Sequence, residues 1–108
     1  MSINKKVISA LKDIGVPVRF QTYSGDEETY ITFFIYLDKP ELHSDDKELI
    51  NGYYVQIDIW SKEDYTDLVD TVYTRIIDAG FTKLNFYDLY EEDTKTYHKV
   101  MRFFKEVI

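Results

Sequence analysis

Gly52-Tyr53-Tyr54-Val55-Gln56-Ile57-Asp58-Ile59-Trp60-Ser61 is the run that decides the architecture. Tyr53, Val55, Ile57 and Ile59 alternate with Tyr54, Gln56, Asp58 and Trp60, a period of two that predicts a strand. Ser61-Lys62-Glu63-Asp64 then has the form of a capping box with Asp in place of Glu, which weakens the reciprocal bond and still opens a helix. Tyr65, Leu68, Val69, Val72, Tyr73 and Ile76 follow at helical spacing and form one wide apolar stripe. Such a stripe lies on a sheet. Fully burying one aliphatic member contributes about 1.5–3 kcal/mol. Gly80 ends the helix in the left-handed conformation that glycine tolerates.

Upstream, Ile3, Val7, Leu11 and Ile14 predict a helix over Ser2–Ile14, capped by Ser2 and ended by Gly15 and Pro17. Val18–Tyr23 reads as a strand, and Ser24-Gly25-Asp26-Glu27 as a turn. Thr29–Leu37 is a second strand, with Ile31, Phe33, Ile35 and Leu37 on one face and Tyr30, Thr32, Phe34 and Tyr36 on the other. Asp38–Asn51 reads as a long loop, with room for a short helix near Ser44–Leu49.

Downstream, Phe81–Tyr90 suits a strand on the alternation of Leu84 and Phe86 against Asn85 and Tyr87, and residues 91–94 suit a turn. Val100, Phe104 and Val107 also have helical spacing. The richness of residues 96–107 in Tyr, Val, Phe and Thr, beside an upstream hairpin partner, favours a strand. The predicted fold is α+β in two layers. An antiparallel five-stranded sheet carries two helices on one face, in the order α-β-β-β-α-β-β. Residues 1–108 form a single domain with a long flexible loop at 38–51.

Composition bounds the function. Thirteen Lys and Arg against twenty Asp and Glu leave a net charge of −7. That balance opposes free-standing binding to nucleic acid, where affinity comes from surplus cations. The absence of cysteine excludes disulfides, iron–sulfur clusters, thiolate zinc sites and cysteine nucleophiles. The opening residues lead into a charged amphipathic stretch, so no targeting segment is expected, and no apolar run approaches the ~20 residues that span a bilayer.

No catalytic constellation emerges. Gly15, Gly25, Gly52 and Gly80 stand too far apart for a phosphate loop. His43 and His98 lack metal-ligand spacing, and a role for His98 with Asp88 or Glu91 is open but not demanded. The acidic runs at 26–28, 45–46 and 91–93 lack calcium-loop spacing and read as solvated turns. Catalytic, cofactor-binding and metal sites are therefore expected to be none. Asp58, a lone acid among apolar strand residues, is expected either to lie on a partly wet face or to pair with a base such as Lys99 or Arg102 on a neighbouring strand. Aromatic residues are in surplus. If the helices cover one sheet face, Tyr23, Tyr30, Phe34, Tyr36, Tyr54 and Trp60 lie on the other. They mark an interaction surface or a wet rim of tyrosines.

The run Gly52–Ser61, the helix Tyr65–Ala79 with Gly80-Phe81, and the later Asp88-Leu89-Tyr90-Glu91-Glu92-Asp93-Thr94 and Tyr97-His98-Lys99-Val100-Met101-Arg102-Phe103 resemble the tail completion proteins of long-tailed phages and prophages. These are also called tail-to-head joining proteins. The opening helix fits the same group. The resemblance implies a non-enzymatic virion component with no cofactor. It would be made in the host cytoplasm, be a monomer alone, and assemble as a ring, typically of six copies. Its partners would be a head connector and tail-tube proteins. An acidic ring would let DNA pass without sticking, and no membrane is involved. Tyr36, Leu42, Leu49, Ile50, Tyr54 and Trp60 are the candidate partner-interface residues. Two other readings compete. One is an acidic inhibitor that mimics DNA and binds a host enzyme, which needs acids gathered on one face. The other is a small-molecule-binding or catalytic α+β domain, which needs a concave polar pocket.

Overall fold

The computed structural model describes residues 2–42 and 49–107. The elements are α1 (Ile3–Ala10), β1 (Val18–Phe20), β2 (Tyr30–Leu42), β3 (Leu49–Ser61), α2 (Thr66–Asp78), β4 (Thr82–Glu91) and β5 (Thr96–Val107). The order is the expected one, and residues 96–107 form a strand. The sheet runs β1-β2-β3-β5-β4, so β5 inserts between β3 and β4.

Both helices lie on one face of the sheet. Ile3, Val7 and Leu11 of the first helical segment and Val72 and Ile76 of α2 close over Ile31, Phe33, Val55, Ile57, Ile59, Met101 and Phe103. The register explains the layer. Ile31 faces Ile59, Phe33 faces Ile57, Ile35 faces Val55, and Val55 in turn faces Phe103. Directly opposed residues share a face, so one continuous apolar surface results.

Four details depart from the sequence reading. First, β1 runs parallel to β2, with Val18 beside Ile31 and Phe20 beside Phe33, so the sheet is mixed and not wholly antiparallel. Gln21 turns the chain at φ 64° before a hairpin register forms. The Glu27 amide donates to the Tyr23 hydroxyl at 3.0 Å, and the Ile31 amide bonds back to the Pro17 carbonyl at 2.8 Å. The chain thus returns to the start of β1, not its end.

Second, α1 stops at Ala10 and not near Ile14. Asp13 and Gly15 both take positive φ, at 61° and 97°, which ends helical geometry. Ser2 does cap the start, its hydroxyl accepting from the Lys5 amide at 3.1 Å. The predicted capping box at residues 61–64 takes another form. Ser61 closes β3, and the Asp64 carboxylate accepts from the Thr66 amide at 2.9 Å at the entrance of α2.

Third, much of the expected loop 38–51 is strand. Asp38 pairs with Tyr53, Lys39 with Gly52, Pro40 with Asn51 and Leu42 with Leu49. Pro40 is tolerated because β2 has no strand neighbour on its outer side there among the described residues. Residues 43–48, with His43 and most of the short helix predicted near Ser44–Leu49, lie outside the described residues.

Fourth, two bulges reset the alternation. β2 gains an extra residue between Ile35 and Leu37, and β4 gains one between Lys83 and Asn85. A one-residue slip moves every later side chain to the other face. Leu37, expected with Ile31, Phe33 and Ile35, is consequently 44% exposed, and Leu84 is 43% exposed although Phe86 packs on the core.

Candidate partner interface on the uncovered sheet face

Opposite the helices, the register assembles rows across β2, β3, β5 and β4. One row is Tyr30-Trp60-His98-Leu89, the next Thr32-Asp58-Val100-Tyr87, and a third Phe34-Gln56-Arg102-Asn85. No helix covers these rows among the described residues. Their own bulk shields the middle of the face, where Thr32, Asp58, Val100 and His98 are buried.

The first row is an aromatic ladder. Tyr23 stacks on Tyr30 at 4.4 Å between ring centroids, Tyr30 on Trp60 at 6.1 Å, and Trp60 on His98 at 3.7 Å. The indole is fixed in place because Trp60 Nε1 donates to Thr32 Oγ1 at 3.1 Å. Burial raises the Tyr30 phenol above its ordinary pKa, with its neighbour Tyr23 adding to the rise.

Beneath the ladder runs a polar chain. His98 Nε2 lies 2.7 Å from Asp58 Oδ1, Gln56 Nε2 donates to the same oxygen at 2.8 Å, and Arg102 Nε donates to Gln56 Oε1 at 3.0 Å. The expected partner of Asp58 is thus corrected. Lys99 points to the helix side and bonds Asp88 at 3.3 Å, and Arg102 reaches Asp58 only through Gln56. The base that does pair is His98, which is buried. The register explains the choice: Val100 sits opposite Asp58, so its neighbours two positions away, His98 and Arg102, share that face. Asp58 inside a strand is the signal for a buried partner, and its identity depends on the register between β3 and β5.

The six candidate interface residues separate into groups. Tyr36 and Tyr54 meet at 6.0 Å between rings, and Tyr54 continues to Phe104 at 4.9 Å. The Arg102 guanidinium lies 5.0 Å over Tyr36, so burial raises that phenol's pKa while the cation opposes the rise. Trp60 belongs to the ladder at the other end of the face. Ile50 is buried, at 9% exposed. Leu42 and Leu49 face one another as the last described pair of the β2–β3 ladder.

On the helix side, a cleft of about 600 Å3 opens between the α2 entrance and β4–β5, lined by Glu63, Asp64, Tyr65, Asp88, Leu89, Tyr90 and Tyr97. The Tyr65 hydroxyl donates to Asp88 there. Burial and that carboxylate hold the phenol well above its ordinary pKa, while the same bond, aided by Lys99, holds Asp88 below the usual carboxylate range against the opposing effect of its burial. The cleft offers carboxylates and tyrosines, the Tyr65–Asp88 pair among them. Among the described residues, no group of three His, Asp or Glu side chains is arranged to hold a metal ion, and no helix is long and apolar enough to cross a membrane.

No protein-family model matches the chain, and no curated protein matches it. The fold does have a counterpart among solved structures. A chain in the structure titled "Virion of native gene transfer agent (GTA) particle" superposes with a TM-score of 0.71 at 13% sequence identity. The match covers 98% of this chain and 94% of that one. At that identity the likeness is one of fold.

Proposed function

We propose that this chain is a non-enzymatic structural protein of a phage or phage-like particle, and that it completes the tail by joining it to the head. One observation carries the reading: the whole fold, end to end on both sides, recurs in a chain of a virion. The sequence resemblance to tail completion proteins points the same way. In this reading the protein acts by fitting against others, as a ring of copies between a head connector and the tail tube.

The sheet supplies two unlike edges for a head-to-tail contact. β4 forms one edge along Thr82–Glu91, and β2 is open beyond its short pairing with β1 on the other. A heterologous contact between unlike surfaces closes into a ring when the rotation permits. The test mixes the purified chain with the head-connector and tail-tube proteins of a phage-like particle and follows sedimentation, with electron microscopy of the product. A ring-sized complex is the expected result. A chain that stays at its own mass with both connector and tail-tube proteins present overturns the joining role.

A further inference from the structure

A second cleft, of about 350 Å3, lies on the uncovered face where the aromatic ladder meets the β4–β5 turn. Tyr30, Trp60, Glu91, Asp93, Thr94 and Thr96 line it. We propose that this cleft is a receptor for an arginine side chain presented by a partner protein.

Three features support it independently. The lining combines flat aromatic rings with two carboxylates. A guanidinium is the protein side chain that uses both, stacking on a ring while its planar fork pairs with a carboxylate. The rings are held in advance: Trp60 is fixed between Tyr30 and His98 and tied to Thr32, so ordering them costs little on binding.

The last feature is an unmet demand. The His98 side chain is 9% exposed, and its Nδ1 is buried without a hydrogen-bond partner. That nitrogen faces Glu91 Oε1 at 3.5 Å, at the edge of the cleft, without bonding it. A buried imidazole nitrogen left open in this way is uncommon and calls for an account. With Nε2–H donating to Asp58, a neutral imidazole presents Nδ1 as an acceptor, which the Glu91 carboxylate, 46% exposed, cannot satisfy and an N–H of a guanidinium drawn to Glu91 can. Lysine is a poorer match, since a compact ammonium cannot lie flat on the indole or bridge two oxygens in one plane.

The inference stands apart from the joining role, because it concerns the chemistry recognised and not the particle. It also has a direct reporter. Trp60 is the chain's sole tryptophan, so its emission reads the cleft. The full chain is titrated with a short glycine-flanked peptide bearing two arginines, and separately with the same peptide carrying citrulline or lysine. Saturable change with the arginine peptide is expected, weaker by about tenfold for citrulline, which keeps the shape and loses the charge. The paired substitution E91Q and D93N should abolish the change. E63Q, which removes a charge from the other cleft, should leave it intact. Each variant is checked for a native far-ultraviolet spectrum, and backbone amide shifts of Thr94 and Thr96 give a second readout. Equal responses to arginine and citrulline, equal responses to arginine and lysine, or equal losses in E63Q and the paired variant overturn the proposal.

Discussion

His98 Nε2 and Asp58 Oδ1 lie 2.7 Å apart beneath the indole of Trp60, two ionisable groups on neighbouring strands that are buried on a sheet face no helix covers. The contact ties β5 to β3 through side chains as well as backbone. It is part of a chain that includes Gln56 and Arg102, so no member can be removed without leaving another short of a partner.

Asp58→Ala should therefore destabilise the protein by more than the loss of one ordinary hydrogen bond. Both the imidazole and the Gln56 amide lose their acceptor, and each buried unsatisfied group costs about 1–3 kcal/mol. Urea denaturation checks this. A midpoint unchanged from the parent chain would show that the buried pair contributes nothing to stability.

Phe33 and Phe34 are neighbours with opposite fates. Phe33 is fully buried under the helices, whereas Phe34 is half-buried on the uncovered face. Phe33→Ala should cost about 3–5 kcal/mol, and Phe34→Ala well under that. The two variants compared by thermal melting test the assignment of the faces. Equal losses would mean that the helices do not lie on the Phe33 side.

Gly52 has no room for a side chain. A methyl group there would sit 2.8 Å from the Phe104 ring and 2.9 Å from Glu41 Cγ. Gly52→Ala should force Phe104 aside and cost about 1–3 kcal/mol, the usual range for overpacking. Its signature is local: the Phe104 ring resonances should move while those of Phe33 stay in place.

Acid should weaken the join between the α2 entrance and β4. The Tyr65 hydroxyl and Lys99 hold Asp88 below its ordinary pKa in the folded chain. A carboxylate depressed by folding contributes stability above its unfolded pKa of about 4, and that contribution is lost as pH falls through the lower folded value. Tyr65→Phe removes the larger cause, so the Asp88 titration should move back up towards the ordinary range. Carbon-detected titration of the side chain reads this directly, and an unmoved midpoint would show that the phenol does not set it.

Much of the fold was legible because β3 and α2 state their periods without interruption. The stripe Leu68, Val69, Val72, Ile76 has one reading, and so has the alternation of Val55, Ile57 and Ile59. What escaped was whatever depended on a neighbour strand. The extra residues at Tyr36 and Leu84 are themselves large and apolar, so the pattern continues across them with no visible break, and only pairing reveals the slip. The parallel course of β1 follows from how residues 21–29 return, which no turn signature encodes. Pro40 and the flanking charges made strand residues look like loop, because an edge strand beyond the helices has little apolar side to show. The uncovered aromatic face was anticipated from the surplus of rings. The pairing of Asp58 with His98 was not: Lys99 and Arg102 lie on the same strand, and only the register, with Asp58 opposite Val100, brings His98 beside it.

The two bulges have a geometric result that neither has alone. Their extra residues flank one row, Ile35-Val55-Phe103-Lys83: Tyr36 lies on its Phe104 side and Leu84 on its Arg102 side. They belong to β2 and β4, on either flank of β3 and β5, whose pairing runs without a break between them. Each bulge bends its strand and adds local right-handed twist, so the two margins curl relative to the midline. That curvature belongs to the backbone itself, so a surface seated on it would meet a contour that side-chain substitutions can roughen but not straighten.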